Sequence, residues 1–142
     1  MGLRTLQADD LRQLSVWMKN ADDIARYMRA PAFWGLVATE GDLYKGVIIG
    51  WCYEDEVEVI DILVHPDYRR SGIGTMLLDG FIRLAKAAIC RLEVRIDNVP
   101  AVKFYEKFGF IQDGIRADYY RDAAGFCDAV LMTYRLNTAE EN

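Results

Sequence analysis

Hydrophobic positions change their spacing along this chain, and the changes separate strand-like segments from helix-like ones. Residues 57–64 are apolar on both faces apart from Glu58 and Asp61, which is typical of a central strand. Shorter runs rich in β-forming residues precede it, separated by turn-like Glu, Asp and Gly residues, and predict a first strand and an antiparallel meander. The predicted strands cover residues 3–6, 33–39, 43–53 and 57–64.

Helical spacing appears in three places before residue 90. Asp9 or Asp10 is expected to cap a first helix, and a second over residues 22–28 should end before Pro31. A third begins at Ile73. The first helix places Leu11, Leu14, Trp17 and Met18 on one face, and the third places Ile73, Leu77, Leu78, Phe81, Leu84, Ala85 and Ala88 on one face.

The last third of the chain alternates between the two periods. Residues 91–96 alternate as a strand, Asn98 can cap a short helix that ends at Gly109, and two closing strands follow around residues 110–114 and 126–136. A meander followed by strand, helix, strand and helix predicts an α/β (α+β) fold, a mixed and mostly antiparallel sheet with helices on its faces.

Composition narrows the class of protein. The 142 residues, 52% of them hydrophobic, suit one domain over residues 1–142, and the charge-rich end at 137–142 is the only biased segment. A net charge of -5 argues against a nucleic-acid surface. Three separated cysteines and a single histidine favour reduced thiols and no metal site. No apolar run is long enough to span a membrane, and we expect a cytoplasmic protein.

The segment from Arg69 to Thr75 has the composition of an anion site at a helix N-terminus. Gly72 and Gly74 allow close approach of backbone N–H groups, and Arg69 and Arg70 add positive charge. An ordinary strand-to-helix turn with solvated arginines would have the same pattern. The spacing matches neither a P-loop nor a dinucleotide fingerprint.

This loop, preceded by VHPDY and followed by LEVRIDN, FYEKFGF and DAVLM, resembles the GNAT superfamily of acetyl-CoA-dependent N-acetyltransferases. Within it, the resemblance is greatest to the bacterial RimI-type enzymes, which acetylate the N-terminal alanine of a ribosomal protein. It is strong over residues 56–136. It implies the GNAT fold, with about seven strands and about four helices. It also implies an acceptor side in residues 1–54 and an acetyl-CoA-binding and catalytic part in residues 55–136.

The resemblance also implies the coenzyme contacts. Backbone groups of the loop would hold the pyrophosphate, the strand before it would pair with the pantetheine arm, and Asn98 would touch the coenzyme as well as cap its helix. The coenzyme-binding residues implied are Ile62, Leu63, Val64, Arg69, Arg70, Ser71, Gly72, Ile73, Gly74, Thr75 and Asn98.

Two residues outside the loop match the family's acid–base pair. Glu93 lies on the polar face of its strand, where a solvated structural residue would also lie, and it matches the general base, acting directly or through a water. Tyr105 follows the helical spacing of core residues and matches the general acid that protonates the leaving thiolate. Asp118, Tyr119 and Tyr120 resemble an acceptor-lining motif, although ordinary strand-edge residues would look the same.

The sequence therefore predicts an acetyl-CoA-dependent transferase acting by direct attack of a primary amine, most simply the α-amine of a protein or peptide. The alternatives are a small amine or a lysine side chain as acceptor, or a non-catalytic acyl-CoA-binding module. Residues 16–34 lack the FPWS-like segment of RimI-type enzymes, which speaks against ribosomal-protein specificity. Acetyl-CoA and the acceptor are the expected partners, with no nucleic acid or membrane, and the chain is expected to be a monomer or homodimer.

Overall fold

The computed structural model describes residues 1–136, and the charge-rich end at 137–142 lies outside the described residues. The helices are α1 Asp10–Leu14, α2 Ala21–Tyr27, α3 Ile73–Leu84 and α4 Val99–Phe108, with a 3-10 turn over Pro66–Tyr68. The strands are β1 Gly2–Thr5, β2 Phe33–Glu40, β3 Leu43–Tyr53, β4 Glu56–Val64, β5 Ile89–Arg95, β6 Ile111–Asp122 and β7 Gly125–Arg135. Within this part of the chain, no helix is long and apolar enough to cross a lipid bilayer.

The seven strands form one mixed sheet in the order β1-β2-β3-β4-β5-β7-β6. Strands β2, β3 and β4 form the antiparallel meander that the sequence predicts, β1 pairs antiparallel with β2, and β4 lies at the centre. Among the described strands, the one parallel pair is β4 with β5, and α3 makes the crossover between them. The predicted fold class and the central position of β4 are confirmed.

Two apolar clusters cover opposite faces of the sheet, because neighbouring strand residues alternate between them. Leu36 and Ile48 pack with Leu77 and Phe81 of α3, whereas Val37 and its neighbours pack on the other face with α1 and α2. We call these the α3/α4 face and the α1/α2 face. Leu92 and Val94 belong to the α3/α4 face, so Glu93 points toward the other face, as the alternation of β5 predicts.

The sheet opens between β4 and β5. Their ladder has only four residue pairs and ends at Val59 and Leu92, while β4 stays paired with β3 as far as Val64. A register shift in the β3–β4 ladder accompanies the opening, because Gly50 pairs with Val59 and Ile49 pairs with Asp61, so that Ile60 has no partner. The second half of β4 therefore has one unpaired edge inside the sheet.

The acidic residues at the start of α1 do not have the capping role that the sequence predicts. Asp10 does not cap α1, and Asp9 makes no capping bond either. Instead, the buried Asp10 carboxylate accepts two hydrogen bonds from Arg4, at 2.8 and 2.6 Å, one from the Tyr44 hydroxyl at 2.8 Å, and one from the Gln7 N–H at 2.8 Å. The carboxylate thereby ties β1, the start of α1 and β3 together.

Helix ends also fall earlier than the apolar spacing predicts. Helix α1 ends at Leu14, so Trp17 and Met18 reach the same cluster from the turn that follows it. Helix α3 ends at Leu84, whose side chain is exposed, and Ile82 is buried in its place. Apolar spacing placed Leu84 in the core because spacing alone does not indicate where a helix stops packing on its sheet.

Candidate active site

The loop before α3 leaves a helix N-terminus open. Gly72 occupies the N-cap position with a φ of 86°, and no side chain among residues 1–136 caps the helix. The first four N–H groups of a helix have no partner within it, and they carry the positive end of the helix dipole. A Cβ atom at Gly72 would meet nothing within 4 Å, so its glycine is required by the left-handed backbone and not by crowding.

A cavity of about 420 Å³ adjoins this helix end, and we call it the loop cavity. Arg69, Arg70 and Lys107 supply three cations to its lining. It is lined by Val64, Tyr68, Arg69, Arg70, Gly72, Ile73, Gly74, Thr75, Phe104 and Lys107. Open N–H groups, a helix N-terminus and three cationic side chains fit a pyrophosphate group.

Not every residue predicted for the loop faces this cavity. Ser71 is absent from its lining, and its hydroxyl donates to the Tyr68 carbonyl, which holds the turn closed. Arg69 folds back so that its Nε donates to the Val64 carbonyl at 3.4 Å. Lys107 and Phe104 were not predicted, because helical spacing alone does not indicate that α4 packs beside the loop.

The opening between β4 and β5 forms a second cavity of about 410 Å³, which we call the split cavity. Side chains from both faces of the sheet line it, since the strands on either side are no longer paired. It is lined by Val59, Ile60, Asp61, Ile62, Leu92, Glu93, Val94, Arg95, Asn98, Ala101, Tyr105 and Tyr120. Glu93, Tyr105, Asn98 and Ile62, which the sequence singled out, thus meet at one place.

The two cavities follow the same pair of elements, β4 and α4. On β4, Ile62 lines the split cavity and Val64 lines the loop cavity. On α4, Ala101 lines the split cavity and Phe104 lines the loop cavity. Leu63 lines neither, because its side chain packs on the α1/α2 face, so only its backbone is available to a ligand. The arrangement suits a long, narrow ligand that lies along the unpaired edge of β4 with an anionic group at the helix end.

Tyr105 is nearly buried, with 9% of its surface exposed, between the rings of Phe104 and Phe110. Burial, and to a smaller extent the negative charge of Asp61, raises the pKa of its hydroxyl. The hydroxyl makes no hydrogen bond with any group of residues 1–136 and belongs to a residue that lines the split cavity. It is therefore a protonated donor available to a ligand.

The Glu93 carboxylate is held by a side chain from another strand. Its carboxylate forms an ion pair with Arg116 of β6 at 2.9 Å, and its side chain is 20% exposed. The two arginines that lie beside Glu93 on β5 form ion pairs with other carboxylates. Arg91 pairs with Glu56, and Arg95 pairs with Asp97 and Asp122. The pairing with Arg116, 23 positions away in the sequence, holds the Glu93 carboxylate at the edge of the split cavity and could not be predicted from local spacing.

Asn98 and Tyr120 complete the cavity wall. The side-chain oxygen of Asn98 accepts the Ala101 N–H at 3.3 Å, as the predicted helix cap requires. Tyr120 donates to the backbone carbonyl of Glu93 at 3.4 Å, and a register shift between Arg116 and Tyr120 directs it there.

Of the three residues predicted to line the acceptor site, Tyr120 lines this cavity, whereas Tyr119 is exposed and Asp118 lies in the irregular part of β6.

Comparisons with known proteins agree on one family. A family model described as Acetyltransferase (GNAT) family matches residues 3–110. A ribosomal protein bS18-alanine N-acetyltransferase of Escherichia coli strain K12 is 41% identical over 86 residues, which are 58% of this chain and 58% of that protein. An N-alpha-acetyltransferase of Sulfurisphaera tokodaii is 41% identical over 82 residues, 55% of this chain and 47% of that protein. The chain thus matches less than two thirds of the length of either curated relative.

A crystal structure of the ribosomal-protein alanine N-acetyltransferase from Escherichia coli covers nearly the whole chain. The two structures superpose with a TM-score of 0.84 at 27% identity, over 99% of this chain and 97% of that one. The seven-stranded mixed sheet with four helices is therefore a known fold.

Proposed function

The chain belongs to the GNAT acetyltransferase family, and from that membership we propose that it transfers the acetyl group of acetyl-CoA to a primary amine. Acetyltransferases of this family use acetyl-CoA. The observation that carries the proposal is the meeting of Glu93 and Tyr105 in the split cavity, next to an open helix end that fits the coenzyme's pyrophosphate. Acetyl-CoA, when bound, supplies the acetyl group as a thioester.

The chain's own residues divide the work in this proposal. Backbone N–H groups of residues 70–75, with Arg69 and Lys107, bind the pyrophosphate, and the unpaired edge at Ile62, Leu63 and Val64 orients the pantetheine arm. Glu93 accepts a proton from the amine, directly or through a water, and the Tyr105 hydroxyl donates one to the departing sulfur. Asn98 touches the coenzyme from the start of α4.

All residues that line the two cavities fall within residues 59–120. This supports placing the coenzyme-binding and catalytic part in residues 55–136. An acceptor side formed by residues 1–54 is proposed from the sequence. One domain spanning residues 1–142 is part of the same proposal.

The acceptor we propose is the N-terminal α-amine of a protein or peptide. The E. coli relative is named a ribosomal protein bS18-alanine N-acetyltransferase and the S. tokodaii relative an N-alpha-acetyltransferase. Because alanine has no side-chain amine, both names support an α-amine over other amines. Lysine side chains and small amines remain the alternatives that an assay has to separate.

The test is mass spectrometry of peptides incubated with the protein and labelled acetyl-CoA. A panel of peptides with free N-termini, including Ala-initiated ones, is paired with the same peptides carrying a blocked N-terminus and a free lysine. We expect label on the α-amine of the free peptides only. Equal labelling of the blocked peptides would replace the proposed acceptor with lysine, and binding of acetyl-CoA without any transfer would reduce the protein to a binding module.

A further inference from the structure

Asp61 is a partly buried carboxylate in the split cavity to which the roles above give no task. It lines the cavity with Glu93 and Tyr105. Burial raises the pKa of its carboxyl group, and the one interaction that opposes this is with the N–H of the next residue, Ile62. Among residues 1–136, it forms no ion pair.

The cavity offers Asp61 no compensating positive charge from the described part of the chain. Arg95 is the cationic side chain in the lining, and its guanidinium is bound by Asp97 and by Asp122, each at 3.0 Å, while its plane lies over the Tyr120 ring. Arg116 is paired with Glu93. A carboxylate taken out of water without a cationic partner costs stability, so a counterion that arrives with a ligand is the simplest reason for its presence.

The face of the sheet on which Asp61 lies determines the side from which that counterion can approach. Asp61 pairs with Ile49 in the β3–β4 ladder, and because directly opposed residues share a face, its side chain lies on the α1/α2 face. Glu93 also points to that face, whereas Tyr105 approaches from α4 on the other. Two carboxylates thus border the opening on the side away from the loop cavity and α3, where an acceptor can enter without displacing a coenzyme.

We propose that Asp61 binds the ammonium group of the acceptor amine in the split cavity, a role that rests on the proposed acetyl transfer. Glu93, already paired with Arg116, then serves proton removal, while Asp61 supplies the charge that holds the amine before it loses its proton. The acceptor's own cation is the ligand class recognised, so a neutral analogue of the same peptide should not sense Asp61.

The test compares Asp61→Asn with wild type and with Asp55→Asn, which removes one negative charge from the turn at the other end of β4. For a peptide acceptor, we expect Asp61→Asn to raise the KM for peptide about tenfold, the usual size of a lost charge-assisted contact, with kcat changed by less than about threefold. The KM for acetyl-CoA should not change. Asp55→Asn should leave all three constants at their wild-type values.

Calorimetry of peptide binding to the CoA-saturated protein gives a readout that does not depend on turnover. The free peptide should bind Asp61→Asn about tenfold more weakly than wild type, whereas the N-acetylated peptide should bind both equally. Asp61→Asn should also unfold at a temperature no lower than wild type, because it removes a desolvated charge.

Unchanged KM and peptide affinity in an active Asp61→Asn protein would overturn the role of Asp61 and leave the proposed function intact. A wild-type protein that binds acetyl-CoA but neither binds nor acetylates peptides would overturn the peptide acceptor and this inference together.

Discussion

Tyr105 shows how a core position can also carry chemistry. Its ring packs on the α3/α4 face, as helical spacing predicts, and Tyr105 also lines the split cavity. Burial raises the pKa of the hydroxyl, so it remains protonated through the neutral and mildly alkaline range. A donor with these properties suits protonation of a leaving sulfur.

Tyr105→Phe should lower kcat for acetyl transfer about 100-fold, since it removes the donor but keeps the ring, and Glu93→Gln should have an effect of similar size. Steady-state rates between about pH 6 and pH 10 measure this, and deprotonation of Tyr105 should cause no fall in the wild-type rate over that range. Glu106→Gln, an exposed neighbour on α4, serves as the control. An alkaline fall in rate that disappears in Tyr105→Phe would contradict the protonated state.

Asp10 matters for stability instead. Its hydrogen bonds with Arg4 lower the pKa of its carboxyl from 3.8 to about 2, so its contribution is present above pH 3.8 and is lost as the pH falls through about 2. Asp10→Asn should reduce the free energy of unfolding at pH 7 by about 2 kcal/mol and remove this acid dependence. Urea titrations at several pH values measure both effects, with the exposed Asp9→Asn as control. Equal losses in the two variants would show that the ion pair is not responsible.

At the scale of elements, the close contact between β3 and β4 at Gly50 fixes which side chains of β4 point to each face of the sheet. A Cβ atom at Gly50 would lie 1.8 Å from the backbone oxygen of Glu58, which no side-chain movement can relieve. The register shift that follows allows Val59 and Ile62 to pack on the same face although they are three positions apart. It also places Asp61 opposite Ile49.

Gly50→Ala should therefore lower the free energy of unfolding by about 3 kcal/mol or more, because the strands must separate. Gly2→Ala in β1, where a Cβ atom would meet nothing within 4 Å, is the matched control and should change it by less than about 0.5 kcal/mol. Denaturation midpoints measure the difference. A tolerated Gly50→Ala would mean that the two strands can reach another register.

Apolar runs between turn-like residues predicted the meander and the central strand, helical spacing predicted α3, and Asn98 predicted the cap of α4, because each of these signals is local along the chain. It did not predict the opening beside β4, which depends on how two strands diverge after Val59 and Leu92. The pairing of Glu93 with Arg116 and the use of Asp10 by Arg4 also escaped it. Asp61 did leave a signal, as a charge that interrupts an apolar strand without a turn to explain it.

For the whole molecule, coenzyme binding should couple the loop to global stability, because a ligand that binds only the folded state shifts unfolding. Acetyl-CoA at about 100 times its Kd should stabilise the wild-type protein by about 2.7 kcal/mol, seen as a higher melting temperature. In Gly72→Glu the shift should vanish, since a carboxylate would enter the loop cavity beside the anion.

Gly72→Ala is the control for that experiment. The alanine must adopt the backbone conformation of Gly72, with a φ of 86°, which costs about 1 kcal/mol, but it adds no charge. It should melt slightly earlier than wild type and keep the ligand-induced shift. Loss of the shift in both variants would indicate that backbone strain, and not the added charge, abolishes binding.

The unpaired edge of β4 also has a consequence for the exchange of amide hydrogens with solvent. Backbone N–H groups between Ile60 and Val64 that face the opening lack a strand partner, although they lie in the middle of a seven-stranded sheet. Such groups exchange quickly unless something bonds to them. The centre of the sheet should thus contain fast-exchanging positions flanked by slow ones, and a pantetheine arm lying there should slow their exchange selectively.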